Sequence, residues 1–326
     1  MGQTVEGRLQ GALFFFCAVV DFPFPNPRTS PIVDAPWTIN RISSAIGSTT
    51  FSGQAITFAG ANPQLIAPFN VAAQTIYGNP IVLTGPMVIT NFSRLTLSGG
   101  FSGTGPLTVA GGPGFSTLAG TSTFTRGLTV GAGQVVGFAG ASMPGPVMVS
   151  ASGLLAGSGL VAGAVFIEAF GVFNPGPGSS SAGAFGTGDF TVSPSATIMV
   201  TINGRAPGTQ YSTVDVSGTV VLTGATLSLS RSYVPQPGDV FTIITNEAAD
   251  SVTGTFAGLP EGATVTHNGV PLRVSYVGGT GNDVTLTSLA AVATPAAAVP
   301  TLSEWALGLL ALMVLAIGLR HSRQVR

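Results

Sequence analysis

From Ile39 to Thr287 the chain is a succession of short apolar runs in which Val, Ile, Leu, Phe and Thr are interrupted by Gly, Pro, Asn and Ser about every ten residues. Pro80-Ile-Val-Leu-Thr-Gly85, Met87-Val-Ile-Thr-Asn91, Arg94-Leu-Thr-Leu-Ser98, Pro106-Leu-Thr-Val-Ala110, Arg126-Gly-Leu-Thr-Val130 and Gly145-Pro-Val-Met-Val-Ser150 are examples. Each is the length of one strand. No window before Val299 carries a 3.6-residue amphipathic period, and the density of Gly and Pro would break most helices longer than two turns. The pattern predicts an all-β chain.

The runs repeat loosely. Leu97-Ser-Gly-Gly-Phe-Ser-Gly-Thr-Gly-Pro-Leu-Thr-Val109 returns in outline as Leu155-Ala-Gly-Ser-Gly-Leu-Val-Ala-Gly-Ala-Val-Phe-Ile167, strand, Gly-rich turn, strand. Two strands per turn predict coils of about 20 to 25 residues, none able to bury its apolar face alone and each therefore stacked on the next. The fold expected is a right-handed parallel β-helix over 39–175, with an irregular β arrangement as the alternative for Ile39 to Ala110. After Asn174-Pro-Gly-Pro-Gly-Ser-Ser-Ser181 the texture changes. The phrases Pro207-Gly-Thr-Gln-Tyr211, Val216-Ser-Gly-Thr-Val220, Pro237-Gly-Asp-Val-Phe-Thr-Ile-Ile244 and Gly254-Thr-Phe-Ala-Gly-Leu-Pro-Glu-Gly-Ala263 then follow. This stretch resembles the module that closes the passenger of autotransporter-associated β-strand repeat proteins, which implies a terminal β-repeat and cap module over 176–287. A cap is physically required, because an open end would present a row of unpaired strand backbone. Such autotransporters continue into a membrane barrel. Here Ser288-Leu-Ala-Ala-Val-Ala-Thr-Pro-Ala-Ala-Ala298 follows instead, so self-export is not expected and 288–298 reads as a flexible Ala/Pro/Thr linker.

Hydropathy rises sharply at the end. From Trp305 to Leu319 there is no charged residue, and with Val299-Pro300-Thr301-Leu302 the stretch reaches the roughly 20 residues that a single bilayer-spanning helix needs, Glu304 being its one charge. Arg320, Arg323 and Arg326 close it and should remain cytoplasmic. The spacing of Pro300, Thr301, Leu302 and Trp305, followed by the apolar helix and the basic end, resembles the IPTL-CTERM sorting domain of Gram-negative bacteria, with Val299 in place of the leading Ile. The resemblance covers 299–326. It implies that an exosortase-like membrane protease reads the motif, removes the tail and passes the ectodomain to the envelope or the medium. A plain C-terminal membrane anchor, with Trp305 as an interfacial aromatic, is the simpler alternative.

Composition fits an exported body. The 326 residues include 46 Gly and 23 Pro, only 7% are charged, net charge is −1, and all 11 basic residues are Arg. Mean hydropathy is +0.52. Between Ile42 and Gly204 only Arg94, Arg126, Glu168 and Asp189 carry charge, so a nucleic-acid-binding surface is not supported. Gly11 to Val20, after Arg8, has the length of an export-signal apolar region, although Glu6 is unusual there and Asp21-Phe-Pro-Phe-Pro-Asn-Pro-Arg28 holds no clean cleavage site. Residues 1–38 therefore read as an export leader and irregular segment, a misassigned start or truncated leader being the competing account. The lone Cys17 permits no internal disulfide.

Candidate chemistry is sparse. Glu168 and Asp189 are spaced near one coil and could form an acid-base pair of the kind used by carbohydrate-active β-helix enzymes, but two solvated turn carboxylates are the favoured reading. Gly278-Gly-Thr-Gly-Asn-Asp-Val-Thr-Leu286 resembles a single calcium-binding nonapeptide; a tight hairpin turn accounts for it better. His267, beside Asn268-Gly269, has no second ligand nearby for a metal and no partners for a catalytic triad. Asn91-Phe-Ser93 fits the glycosylation sequon. No cofactor, metal or catalytic residue is expected. The sequence supports an exported, non-catalytic envelope protein, held in the inner membrane before processing, with an adhesion or extracellular-matrix role toward surface carbohydrate or other cells. The alternatives are a carbohydrate-active β-helix enzyme and a structural envelope-layer protein.

Overall fold

A computed structural model describes residues 3–4, 19–22, 31–44, 48–67, 74–178, 181–289 and 304–322. They form two units, Met1–Leu289 and Ala290–Arg326, treated separately below.

The first unit is a parallel β-solenoid with three strands per turn, one more than the sequence pattern predicts. Gln74–Tyr77, Ile81–Leu83 and Met87–Asn91 make one coil, and Arg94–Leu97, Phe101–Gly103 and Leu107–Ala110 make the next. Each strand pairs in parallel with its counterpart one coil on, as in Leu95 on Thr75, Phe101 on Ile81 and Val109 on Ile89. The three sides are a sixteen-stranded, a four-stranded and an eleven-stranded sheet. All four strands of the second side are only three residues long with tight corners beside them, so in sequence that side is indistinguishable from the turn next to it. Coil length is uneven, being 18 residues from Val147 to its partner Val165 and 30 from Phe190 to its partner Val220. The ordered coils include Trp37–Ile39, Ile56–Phe58 and Gln64–Ala67, so the region before Ala110 belongs to the solenoid.

Alternation along each strand sends every second side chain inward, and parallel register then stacks like on like. On the eleven-stranded side Ile42, Leu65, Ile89, Val109, Val130, Val149, Ile167 and Val192 form one continuous ladder, each with no exposed surface. Met87, Leu107, Leu128, Val147, Val165, Phe190 and Val220 form a second. Full burial of one such side chain is worth about 1.5–3 kcal/mol, repeated at every coil.

The corner between the first two sides changes along the axis. It is straightened in Val135–Met143 and Leu154–Val161, single strands that serve both sides with a register shift between Ala139 and Ala141. Beyond them the sides part again, Leu154–Ala156 pairing with Val172–Asn174 and Gly159–Val161 with Phe185–Thr187. Strand pairing crosses residue 175 without a break, since Val165–Ile167 stacks on Phe190–Val192. The solenoid closes where Val240–Asn246, parallel to Thr213–Val216 on one edge, meets Asp283–Ser288 antiparallel on the other. Val270–Gly278 and Thr264–His267 complete an antiparallel cap. Val19–Phe22, the end of the apolar run read as an export leader, pairs in parallel with Arg41–Ser44; Glu6, Arg8 and Cys17 lie outside the described residues.

Among the described residues, the C-terminal unit is a helix, Glu304–Ser322.

Candidate functional site

Two regions combine unusual chemistry with a defined local structure: the C-terminal helix, and the lateral loops beside the cap. In the helix, Leu307, Leu309, Leu310, Leu312, Met313 and Val314 are 54–66% exposed, and Leu315 and Ile317 add to an apolar surface on every side. A helix with no polar stripe has no face to turn toward water. Trp305 lies in its first turn and Arg320 near its end. Val299, Pro300, Thr301, Leu302, Arg323 and Arg326 lie outside the described residues. Among the described residues, no helix is long and apolar enough to cross a membrane.

The second region arises from the last two corners between the first and second sides, which lengthen into loops 203–212 and 232–239. They are built alike. Pro207-Gly208-Thr-Gln-Tyr211 lies one coil before Pro237-Gly238-Asp-Val-Phe241, Gly208 and Gly238 both taking positive φ of 68° and 85°. Proline presets the first turn residue and glycine accepts the left-handed second, so each pair reverses the chain. Arg205 Nε donates to Asp239 Oδ1 at 2.8 Å and to the Tyr233 hydroxyl at 2.9 Å, while that hydroxyl donates to Asp239 Oδ2 at 2.8 Å. Gln236 N–H adds a further bond to Oδ2 at 2.8 Å, and Gln210 Oε1 accepts from the N–H groups of Arg205 and Ala206. Desolvation pushes the Asp239 carboxyl up, but the Gln236, Tyr233 and Arg205 donors and the guanidinium charge outweigh it and hold the group below the usual carboxylate range. The cluster is self-satisfied, which makes it a clasp between coils. Sequence reasoning missed it, although the recurrence of Pro-Gly-x-x-aromatic at a coil's spacing was the visible signal.

The other sequence candidates separate. Glu168 follows the strand Val165–Ile167, whereas Asp189 precedes the stacked strand Phe190–Val192 and its carbonyl accepts from Val165 N–H. They therefore stand at opposite ends of one side, about 13 Å apart along the strands at 3.3 Å per residue, beyond the roughly 5–9.5 Å of paired glycosidase carboxylates. Asp189 Oδ1 accepts from Thr219 N–H at 2.8 Å and Thr219 Oγ1 at 3.0 Å, and the backbone bond first, then the hydroxyl, lowers its pKa. Asp283, in the calcium-like sequence, is 3% exposed. Its Oδ1 accepts from Asn246 N–H at 2.8 Å and its Oδ2 from Thr280 N–H at 3.0 Å, which ties the hairpin between Val270–Gly278 and Asp283–Ser288 to the last coil. Asn282 Nδ2 donates to the carbonyls of Ala248 and Asp250. His267 is 3% exposed on the neighbouring hairpin, and its Nε2 is buried without a hydrogen-bond partner. Burial lowers its pKa, opposed by a hydrogen bond to the Tyr233 backbone. Asn91 has no exposed surface; its Nδ2 donates to Ser116 Oγ at 3.0 Å and its Oδ1 accepts from Ser93 N–H at 2.9 Å, so the sequon is a buried corner and not a surface acceptor. Among the described residues no three His, Cys, Asp or Glu are grouped to hold a metal.

The chain is thus a parallel β-solenoid with its far end closed by an antiparallel cap, followed in sequence by a separate apolar helix with Arg320 near its end. Residues 297–326 match the IPTL-CTERM motif, so the chain carries the sorting signal of an exported surface protein, of the type handled by exosortase-type processing. No curated protein and no solved structure matches the chain.

Proposed function

We propose that this chain is a non-catalytic protein of the Gram-negative cell envelope whose solenoid serves in adhesion or in the extracellular matrix. The observation that carries the proposal is the pairing of a sorting signal at 297–326 with a body that presents long, nearly uncharged sides, rich in Ser and Thr, around a fully buried core. The apolar helix and the flanking segment from Val299 hold the chain in the inner membrane with Arg320, Arg323 and Arg326 on the cytoplasmic side. A membrane protease then cuts near the motif. The wide separation of Glu168 and Asp189, the only acidic residues between Ile42 and Gly204, supports a binding role over carbohydrate cleavage.

Mapping both ends of the mature protein by mass spectrometry of fractionated cells tests this reading. Loss of the chain from about Val299 onward, with the body in the envelope or medium, is the expected result. An intact Arg326 in the inner membrane reduces the motif to an anchor and removes the basis for a surface role.

A further inference from the structure

Five successive coils turn from the eleven-stranded side to the sixteen-stranded side through the same four-residue turn. In Gly131–Gln134, Ser150–Gly153, Glu168–Gly171, Ser193–Ala196 and Leu222–Ala225 the fourth N–H donates to the first carbonyl at 2.8–3.3 Å. The third residue is left-handed in every one: Gly133, Ser152, Phe170, Ser195 and Gly224, with φ between 64° and 72°. The turns are stitched to one another, Gly133 N–H donating to the Ser152 carbonyl, Ser152 N–H to Phe170 and Ser195 N–H to Gly224. The ridge they form exposes one large apolar side chain.

That side chain is Phe170, and it is 67% exposed. An L-residue in the left-handed region costs about 1–2 kcal/mol, and an aromatic ring left in water recovers little by burial. Gly and Ser fill the equivalent positions in the neighbouring coils, so neither the turn nor the core asks for phenylalanine. A strained, solvent-facing aromatic with no internal role marks a contact with something outside the chain. Its surroundings narrow the partner. Ser150 and Ser152 lie in the coil before it, Ser193 and Ser195 in the coil after it, and Glu168 opens its own turn. Phe166, stacked on Met148, lies exposed on the adjoining side, each at 39%. Arg94 and Arg126 are the only cations between Ile42 and Gly204, so an anionic partner finds no matching charge on this surface.

We propose that this ridge, centred on Phe170, binds a neutral saccharide chain, a proposal that rests on the surface-contact function above. Serine hydroxyls both donate and accept, which suits the mixed hydroxyls of a sugar. The electron-rich ring face attracts the weakly positive C–H groups of a pyranose. Rows of hydroxyls one coil apart on either side of a single ring form an extended site, suited to a polymer and not to a monosaccharide.

Calorimetric titration of the full chain in detergent micelles with cellohexaose and with chitohexaose tests the ridge, alongside the thermal midpoint of each variant. The wild-type chain should bind at least one hexasaccharide. Phe170→Gly should weaken that binding about tenfold or more, equal to about 1.4 kcal/mol, while the midpoint stays level or rises because glycine takes positive φ without strain. Phe170→Tyr should retain binding. Equal affinity in Phe170→Gly, a lowered midpoint in that variant, or failure of the wild type to bind either sugar each overturns the proposal, as does a change in oligomeric state in place of a change in sugar binding. Because the sorting reading is judged by the mapped ends of the mature protein, the ridge can fail while that reading stands.

Discussion

The rings of Tyr211 and Phe241 meet edge to face across the last two coils, their centroids 5.3 Å apart at 84°. Each ends a Pro-Gly turn, so the aromatic contact fixes the spacing of the loops that carry Arg205, Tyr233 and Asp239. Burial raises the pKa of the Tyr211 hydroxyl, consistent with a ring that belongs to the core and a polar tip at its margin.

Phe241→Ala should remove both this contact and the one with Tyr233, whose ring lies 6.4 Å away, at a cost of about 3–5 kcal/mol for a fully buried phenylalanine. Solenoids lose cooperativity between distant repeats, so the loss should be local. Hydrogen exchange should accelerate in peptides from 197–246 and leave those from 81–130 unchanged; uniform acceleration would contradict this picture.

Gly157 has φ of 106° within the strand Leu154–Val161, and a Cβ there would meet the Phe138 carbonyl oxygen of the previous coil. Gly157→Ala should destabilise by more than the about 1–2 kcal/mol of left-handed backbone strain alone, because the obstacle is main chain and cannot rotate away. Gly133 also has positive φ, but nothing stands within 4 Å of its Cβ position. Gly133→Ala should therefore show the backbone strain by itself. Denaturant titration of the two variants checks the order, and equal losses would refute the steric account.

Asn91→Ala should leave Ser116 Oγ and Ser93 N–H without the partner each has at an enclosed corner, costing about 1–3 kcal/mol. Asn91→Ser should recover part of the loss. The thermal midpoints of both variants measure it, and no glycan should be found on Asn91 in the folded protein.

His267 gives the cap a pH dependence whose sign follows from burial. Its folded pKa lies below the unfolded value of about 6.5, so the unfolded chain binds the proton first and stability falls as pH drops below about 6.5, the fall ending once pH passes the folded pKa. Midpoints compared at pH 7.5 and 5 stay above the range in which Asp189 and Asp239, both with lowered pKa values, take up protons. The wild type should be less stable at pH 5, and His267→Gln should lose that difference. A pH response unchanged in His267→Gln would place its origin elsewhere.

The sequence by itself determined that the body is all-β, because period-two apolar runs punctuated by Gly and Pro favour strands and break helices, and it located the sorting signal, because spacing and hydropathy are read along the chain. The outline repeat of Leu97–Val109 in Leu155–Ile167 was real: both segments run from the sixteen-stranded to the eleven-stranded sheet. What the sequence could not give was the number of strands per turn, since Phe101–Gly103 and the corner beside it look alike in one dimension and differ only in having a partner one coil away. Only the tertiary structure decided that Arg205 and Asp239 form one clasp, that Glu168 and Asp189 stand apart, and that Phe170 occupies a left-handed turn which glycine or serine fills in the neighbouring coils. Those relations depend on register between coils of unequal length, and register is set by the stacking of buried side chains, which no local pattern records.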